Sequence, residues 1–110
     1  MHRGGRIAPS PTLMREALHA RAAQLAPAGG DYREFADDTE DALASGCEGA
    51  AIALIERSAT EATRLLGAIP RVLLHGGGAE ALHPHVPGAE SRSSLVLEGL
   101  ARMATAESTA

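Results

Sequence analysis

Few residues in this chain are placed to do chemistry. Thr39 stands in the run DDTED, where a hydroxyl near a helix start can hydrogen-bond a polar ligand. Exposed amides and the helix dipole there favour a carboxylate. On the residues alone the threonine reads first as a cap or first-turn residue, since threonine is common at caps. Gly76, Gly77 and Gly78 follow the apolar run RVLL and precede AEAL. Such a triplet can present backbone amides to a ligand with no β-carbon in the way, or it can simply make a tight turn. His83 and His85 in HPHVP straddle a proline, with no cysteine or well-placed carboxylate nearby, so they read as surface-loop residues rather than metal ligands. Cys47 lies on an apolar helix face and fills a small core space. His75 reads as a strand-end residue. No local Ser-His-Asp or Cys-His arrangement is present.

The elements that must hold these residues follow from periodicity and punctuation. MHRGGRIAP resembles the tail of a strand or hairpin. Ser10 or Thr12 offers an N-cap and Pro11 a first helical residue, so a helix is predicted over 12–25, with Leu13, Ala17, Leu18, Ala22 and Leu25 on one face. Pro27 and Gly29-Gly30 stop it. Asp37 with Glu40, or Asp38 with Asp41, gives a capping-box arrangement for a second helix from about 39 to 66. Gly67 and Pro70 close that helix. RVLLHGGG does not alternate, which predicts a strand buried on both faces, as in a parallel sheet. A short helix over AEALHPH, a loop or weak edge strand over 87–94, and a last helix over LVLEGLARMA follow. The order is α/β, with too few strands for a sheet of its own.

Gly46 and Gly49 are out of place in a helix whose only task is to bury a greasy face. Each costs about 1 kcal/mol relative to alanine inside a helix, so something must compensate. Close packing is the reading, either helix on helix across a dimer, helix on sheet, or within one subunit.

Length and composition narrow the classes. The 110 residues suffice for one small domain or part of a larger one. Aromatics are 2% of the chain, Tyr32 and Phe35 alone, so a core must be built from smaller aliphatic residues and its burial energy is modest. A net charge of -4 gives no electrostatic footprint for nucleic acid or an anionic membrane. All ten basic residues are arginine, which excludes a phosphate loop that needs lysine after its glycines. The single cysteine permits no intrachain disulfide, and no apolar run approaches the roughly 18 residues of a membrane span. A cytoplasmic protein is expected.

The blocks GGRIAPSPTLMREAL, FADDTEDALASGCEGAAIALIERS, RVLLHGGGAEAL and LVLEGLARMA, in this order and spacing, resemble the C-terminal part of the type III pantothenate kinases. The resemblance covers residues 4 to about 104. It implies the C-terminal ribonuclease H-like half of the acetate and sugar kinase/heat-shock/actin superfamily, lacking its first strands, with 1–104 as the half-domain and 105–110 as a disordered tail. It also implies a homodimer, and transfer of the γ-phosphate of ATP to pantothenate as the first step of coenzyme A biosynthesis. ATP would come with a divalent cation and a monovalent cation such as potassium in the complete enzyme. Thr39 matches the family threonine that contacts pantothenate, and Gly76 and Gly77 match a glycine pair on the nucleotide side of the cleft.

Three family blocks have no counterpart here: the Asp-x-Gly-Asn-Thr phosphate loop, the Gly-x-Asp-Arg block with the catalytic aspartate, and the Asp-x-Gly-Thr stretch. Ser10 also replaces a glycine usual after Pro9. The expectation is a C-terminal piece, by truncation or a misplaced start, with no catalytic residue of its own. The alternative is a non-catalytic dimerisation or ligand-binding half-domain.

Overall fold

Helix α1 (Pro11–Arg21) begins where Ser10 caps it: the Ser10 Oγ accepts the Leu13 N–H at 3.1 Å, and Pro11 occupies the first turn. The structure is a computed structural model that describes residues 2–92. It divides into two compact units, one up to Ser58 and the other from Ala59. Residues 2–10 form no strand, so the strand-like tail expected there is corrected; a strand needs a partner, and none pairs with this segment among the described residues. The last helix and the tail expected over 95–110 lie outside the described residues.

α1 ends at Arg21, four residues before the predicted end. Ala22 leaves helical geometry at φ −146°, and the chain turns so that Leu25 N–H donates to the Ala22 carbonyl. Arg15 holds the connector that follows the turn. Its side chain is 7% exposed; Nε and Nη2 donate to the Ala26 carbonyl at 3.2 and 2.8 Å, and Nη1 donates to that of Gly29 at 3.0 Å. The connector after α1 has no regular ladder, so a guanidinium satisfies its carbonyls instead. Burial on α1 does not follow its apolar spacing. Leu13 and Leu18, on the apolar stripe, are 53% and 40% exposed, while the polar Arg15 is the buried residue.

Helix α2 (Thr39–Leu66) has the predicted limits. Of the two capping pairs, Asp38 and Asp41 are the ones used: Asp38 Oδ1 accepts the Asp41 N–H at 2.8 Å, and the Asp38 carbonyl accepts Ala42 N–H at 2.9 Å. Glu40 and Asp41 set negative charge against the helix N-terminus. Ala44, Cys47 and Ile52 are buried along it, which bears out Cys47 as a small core residue. At the other end Gly67 takes φ +72° and donates its N–H to the Thr63 carbonyl, the left-handed stop that a glycine supplies without strain.

From Ala59 onward, the end of α2 leads into strand β1 (Leu73–Leu74), a one-turn helix α3 (Ala79–Leu82), a 3₁₀ turn (His83–His85) and strand β2 (Glu90–Ser91). The strands pair in parallel, Leu73 with Glu90 and Leu74 with Ser91, which bears out the parallel reading and places the weak strand expected over 87–94. Burial on both faces is corrected: β1 has two residues, and Leu73 is 37% exposed. Arg71 clamps the pair, its Nε and Nη2 donating to the two Glu90 carboxylate oxygens at 2.9 and 2.8 Å. Ala79, Leu82, Val86 and Ala89 make the small core of this unit. Together the helices and the short parallel sheet give a mixed α/β fold.

Candidate functional site

Thr39 is the first residue of α2 and is exposed, so its hydroxyl is available to a ligand. Asp38 rather than Thr39 does the capping, so Thr39 stands as a first-turn residue of α2 with its side chain exposed. By helical spacing Thr39, Ala42, Gly46, Gly49 and Ala53 fall on one stripe. The last four of these line a groove of about 510 Å³, whose far wall is the strap 32–36. The stripe of small residues is thus the floor of an open groove, with Thr39 above its upper end.

Gly49 and Gly46 have different surroundings. A β-carbon at Gly49 would lie 3.9 Å from the Tyr32 ring, an ordinary contact. At Gly46 nothing stands within 4 Å of that position. The close approach sought within one subunit is instead at Gly30, which sequence reading passed over. Gly30 has φ +90°, and a β-carbon there would press on the carbonyl of Glu40, with the Glu40 carbon at 2.6 Å and the Asp41 nitrogen at 3.0 Å. The paired glycines Gly29-Gly30 carried the signal, read only as a helix stop.

The strap is bound to α2 by side chains. Asp41 Oδ1 accepts the Asp31 N–H at 2.8 Å and Oδ2 accepts Arg33 Nε–H at 3.1 Å. Ser45 Oγ accepts the Arg33 N–H at 2.7 Å. The Asp31 amide, chiefly, together with Arg33 and Asp38, holds the Asp41 carboxyl below its ordinary 3.8. Tyr32 donates its hydroxyl to Glu34 at 2.9 Å; that bond to a carboxylate, more than partial burial, raises the phenol above its ordinary 10.0. Phe35 stands 98% exposed at the groove's rim.

A second groove, of about 730 Å³, lies between α1 and α2 and is apolar; Leu13, Leu18, Leu43, Gly46 and Cys47 are among its walls. It is the exposed stripe of α1 facing the helix that carries Gly46.

Gly76 and Gly77 belong to the unit from Ala59 and are exposed. Gly76 takes φ +95°, and its carbonyl accepts the Ala79 N–H at 3.2 Å. The loop is therefore a glycine turn, and since α3 is one turn long, its contribution is open backbone rather than a helix dipole. His83 Nε2 lies 2.7 Å from the Ala89 carbonyl, so the Nε2–H tautomer ties the 3₁₀ turn to the residue just before β2. Among the described residues no cluster of three or more metal-ligating side chains exists, and no helix is long and apolar enough to cross a membrane.

The geometry defines a mixed α/β protein with a polar residue heading a long, small-residue helix. A family model described as type III pantothenate kinase matches residues 1–61. A type III pantothenate kinase of Stenotrophomonas maltophilia strain K279a is 69% identical over 103 residues, covering 94% of this chain and 42% of the relative. That of Xanthomonas campestris pv. campestris strain B100 is 65% identical over 104 residues, 94% of this chain and 43% of its own. That of Xanthomonas axonopodis pv. citri strain 306 is 63% identical over 109 residues, 99% and 45%. The chain belongs to the type III pantothenate kinase family. It spans less than half the length of these relatives and matches a C-terminal part of them.

Proposed function

We propose that this chain supplies the C-terminal ribonuclease H-like half-domain of a cytoplasmic pantothenate kinase of the acetate and sugar kinase/heat-shock/actin superfamily, residues 1–104 forming that half. In the assembled enzyme the γ-phosphate of ATP passes to pantothenate, with a divalent cation at the phosphates and a monovalent cation such as potassium beside them. Such transfers are achieved mainly by positioning and charge stabilisation, and this half contributes positioning. Thr39 hydrogen-bonds pantothenate, and the Gly76-Gly77 turn lies on the nucleotide side. No residue of the 110 is assigned a catalytic role. The observation that carries the reading is the exposed Thr39 at the head of α2, relieved of capping by Asp38. Pantothenate titrated into isotopically labelled chain should shift the Thr39 amide, and Thr39→Val should abolish the shift. A native chain unmoved by millimolar pantothenate would reject the assignment.

The second reading, a non-catalytic dimerisation or ligand-binding half-domain, is favoured by the apolar groove between α1 and α2. A homodimer would cover it. Pantothenate-dependent turnover of ATP by the purified chain would eliminate this reading.

A further inference from the structure

The connector between α1 and α2 has backbone groups but no ladder to join, and side chains of α2 take the ladder's place. Asp41 and Ser45 are one helical turn apart and share a face. They receive alternate amides of the strap: Asp41 that of Asp31 at 2.8 Å, Ser45 that of Arg33 at 2.7 Å. Asp41 also takes the Arg33 guanidinium at 3.1 Å, and the Ser45 hydroxyl donates onward to the Asp31 carbonyl at 3.4 Å. Tyr32 lies between the two bonded amides, and its ring forms the groove wall over Gly49.

Asp41 is therefore drawn away from its usual duty. In a reciprocal capping box its carboxylate would return to the cap's own amide; here it reaches ten residues back to Asp31 instead. A helix that needed only a stable start would not require this arrangement, because Asp38 already caps it. We propose that Asp41 and Ser45 are positioning residues: they latch 31–33 onto the first two turns of α2 and so hold Tyr32 as the wall of the groove below Thr39. What the groove holds rests on the pantothenate reading, whereas the latch itself does not.

The test uses the whole chain and two variants, Asp41→Ala and Ser45→Ala. Amide exchange is followed by NMR, quenching of Tyr32 emission by acrylamide, and helicity by circular dichroism. Tyr32 is the single tyrosine and there is no tryptophan, so the emission belongs to the strap. Asp41→Ala should speed exchange of the Asp31 amide, and Ser45→Ala that of Arg33, each about ten-fold, as for one lost hydrogen bond. Quenching should rise in both while the amides around Ile52 and the helicity stay native. Unchanged exchange at both positions would overturn the latch. So would α2 amides exposing in step with the strap, since the two side chains would then be general stabilisers. With pantothenate added, a Thr39 shift lost in both variants but present in the native chain supports positioning. A shift retained while the strap is open overturns it. If the native chain shows no shift, the Thr39 assignment fails, and the latch stands or falls on exchange and quenching.

Discussion

Replacing Gly46 by alanine should raise the melting temperature of this chain when it is dilute. The glycine sits inside a 28-residue helix, has ordinary helical φ, and faces open space, so an added methyl group meets no atom within 4 Å. The gain is then the difference in helix propensity, about 1 kcal/mol. For a domain of this size that corresponds to about 4–8 °C in melting temperature. The assay is calorimetry or circular dichroism over a dilution series, with sedimentation at each concentration. Concentration is part of the test because Gly46 also lines the apolar groove. If a second copy covers that groove, the stabilising effect should shrink or reverse as dimer accumulates, since the methyl group would enter a close contact. A variant that melts below the native chain at the lowest, monomeric concentration would refute the reasoning, because the helix face would then be occupied within the chain itself. Gly46→Leu should weaken self-association more strongly; unaltered oligomeric state and melting temperature would remove close approach as the reason for the glycine.

Gly30→Ala should act oppositely, destabilising by about 2 kcal/mol or more, from left-handed strain of about 1–2 kcal/mol and the approach to the Glu40 carbonyl, read by urea unfolding. Arg15→Ala leaves the Ala26 and Gly29 carbonyls without their buried donor and should cost about 2–3 kcal/mol in the same assay; a loss below measurement would show that water replaces the guanidinium. The Tyr32 phenol is raised above 10.0 by its bond to Glu34, so the stabilisation from that bond is complete below 10.0 and lost as pH rises through the higher value. The phenolate absorbance should therefore have its midpoint above 10.0, and Glu34→Gln should bring it part of the way back.

What could be read in advance was what local chemistry decides. Ser10 and Pro11 started α1, Asp38 and Gly67 bounded α2, and each acts within four residues of itself. The end of α1 was missed by four residues; the connector beyond it is held by Arg15 through carbonyls eleven and fourteen residues on, a link with no periodicity to betray it. Apolar spacing also did not show that Arg15 would be the buried residue of α1. Apolar spacing marks the face that wants cover, and Leu13 and Leu18 remain exposed among the described residues. Thr39 was legible as the start of α2, but the strap opposite it was not, since the Asp41 and Ser45 bonds depend on a connector without regular structure. RVLL was correctly seen as strand, yet its burial depends on layers that a two-residue parallel pair does not supply.

The side-chain links of the first unit also have a kinetic meaning. Arg15 reaches eleven and fourteen residues ahead, Asp41 ten back and Ser45 twelve. Loops of this length close in about 10–100 ns, and their closure entropy is small beside that of long-range strand pairing. Contacts so local in sequence favour early formation. The two helices and the strap can therefore assemble from one contiguous stretch of chain, soon after it emerges from synthesis. The exposed leucines of α1 would then be presented, already ordered, to whatever arrives to cover them.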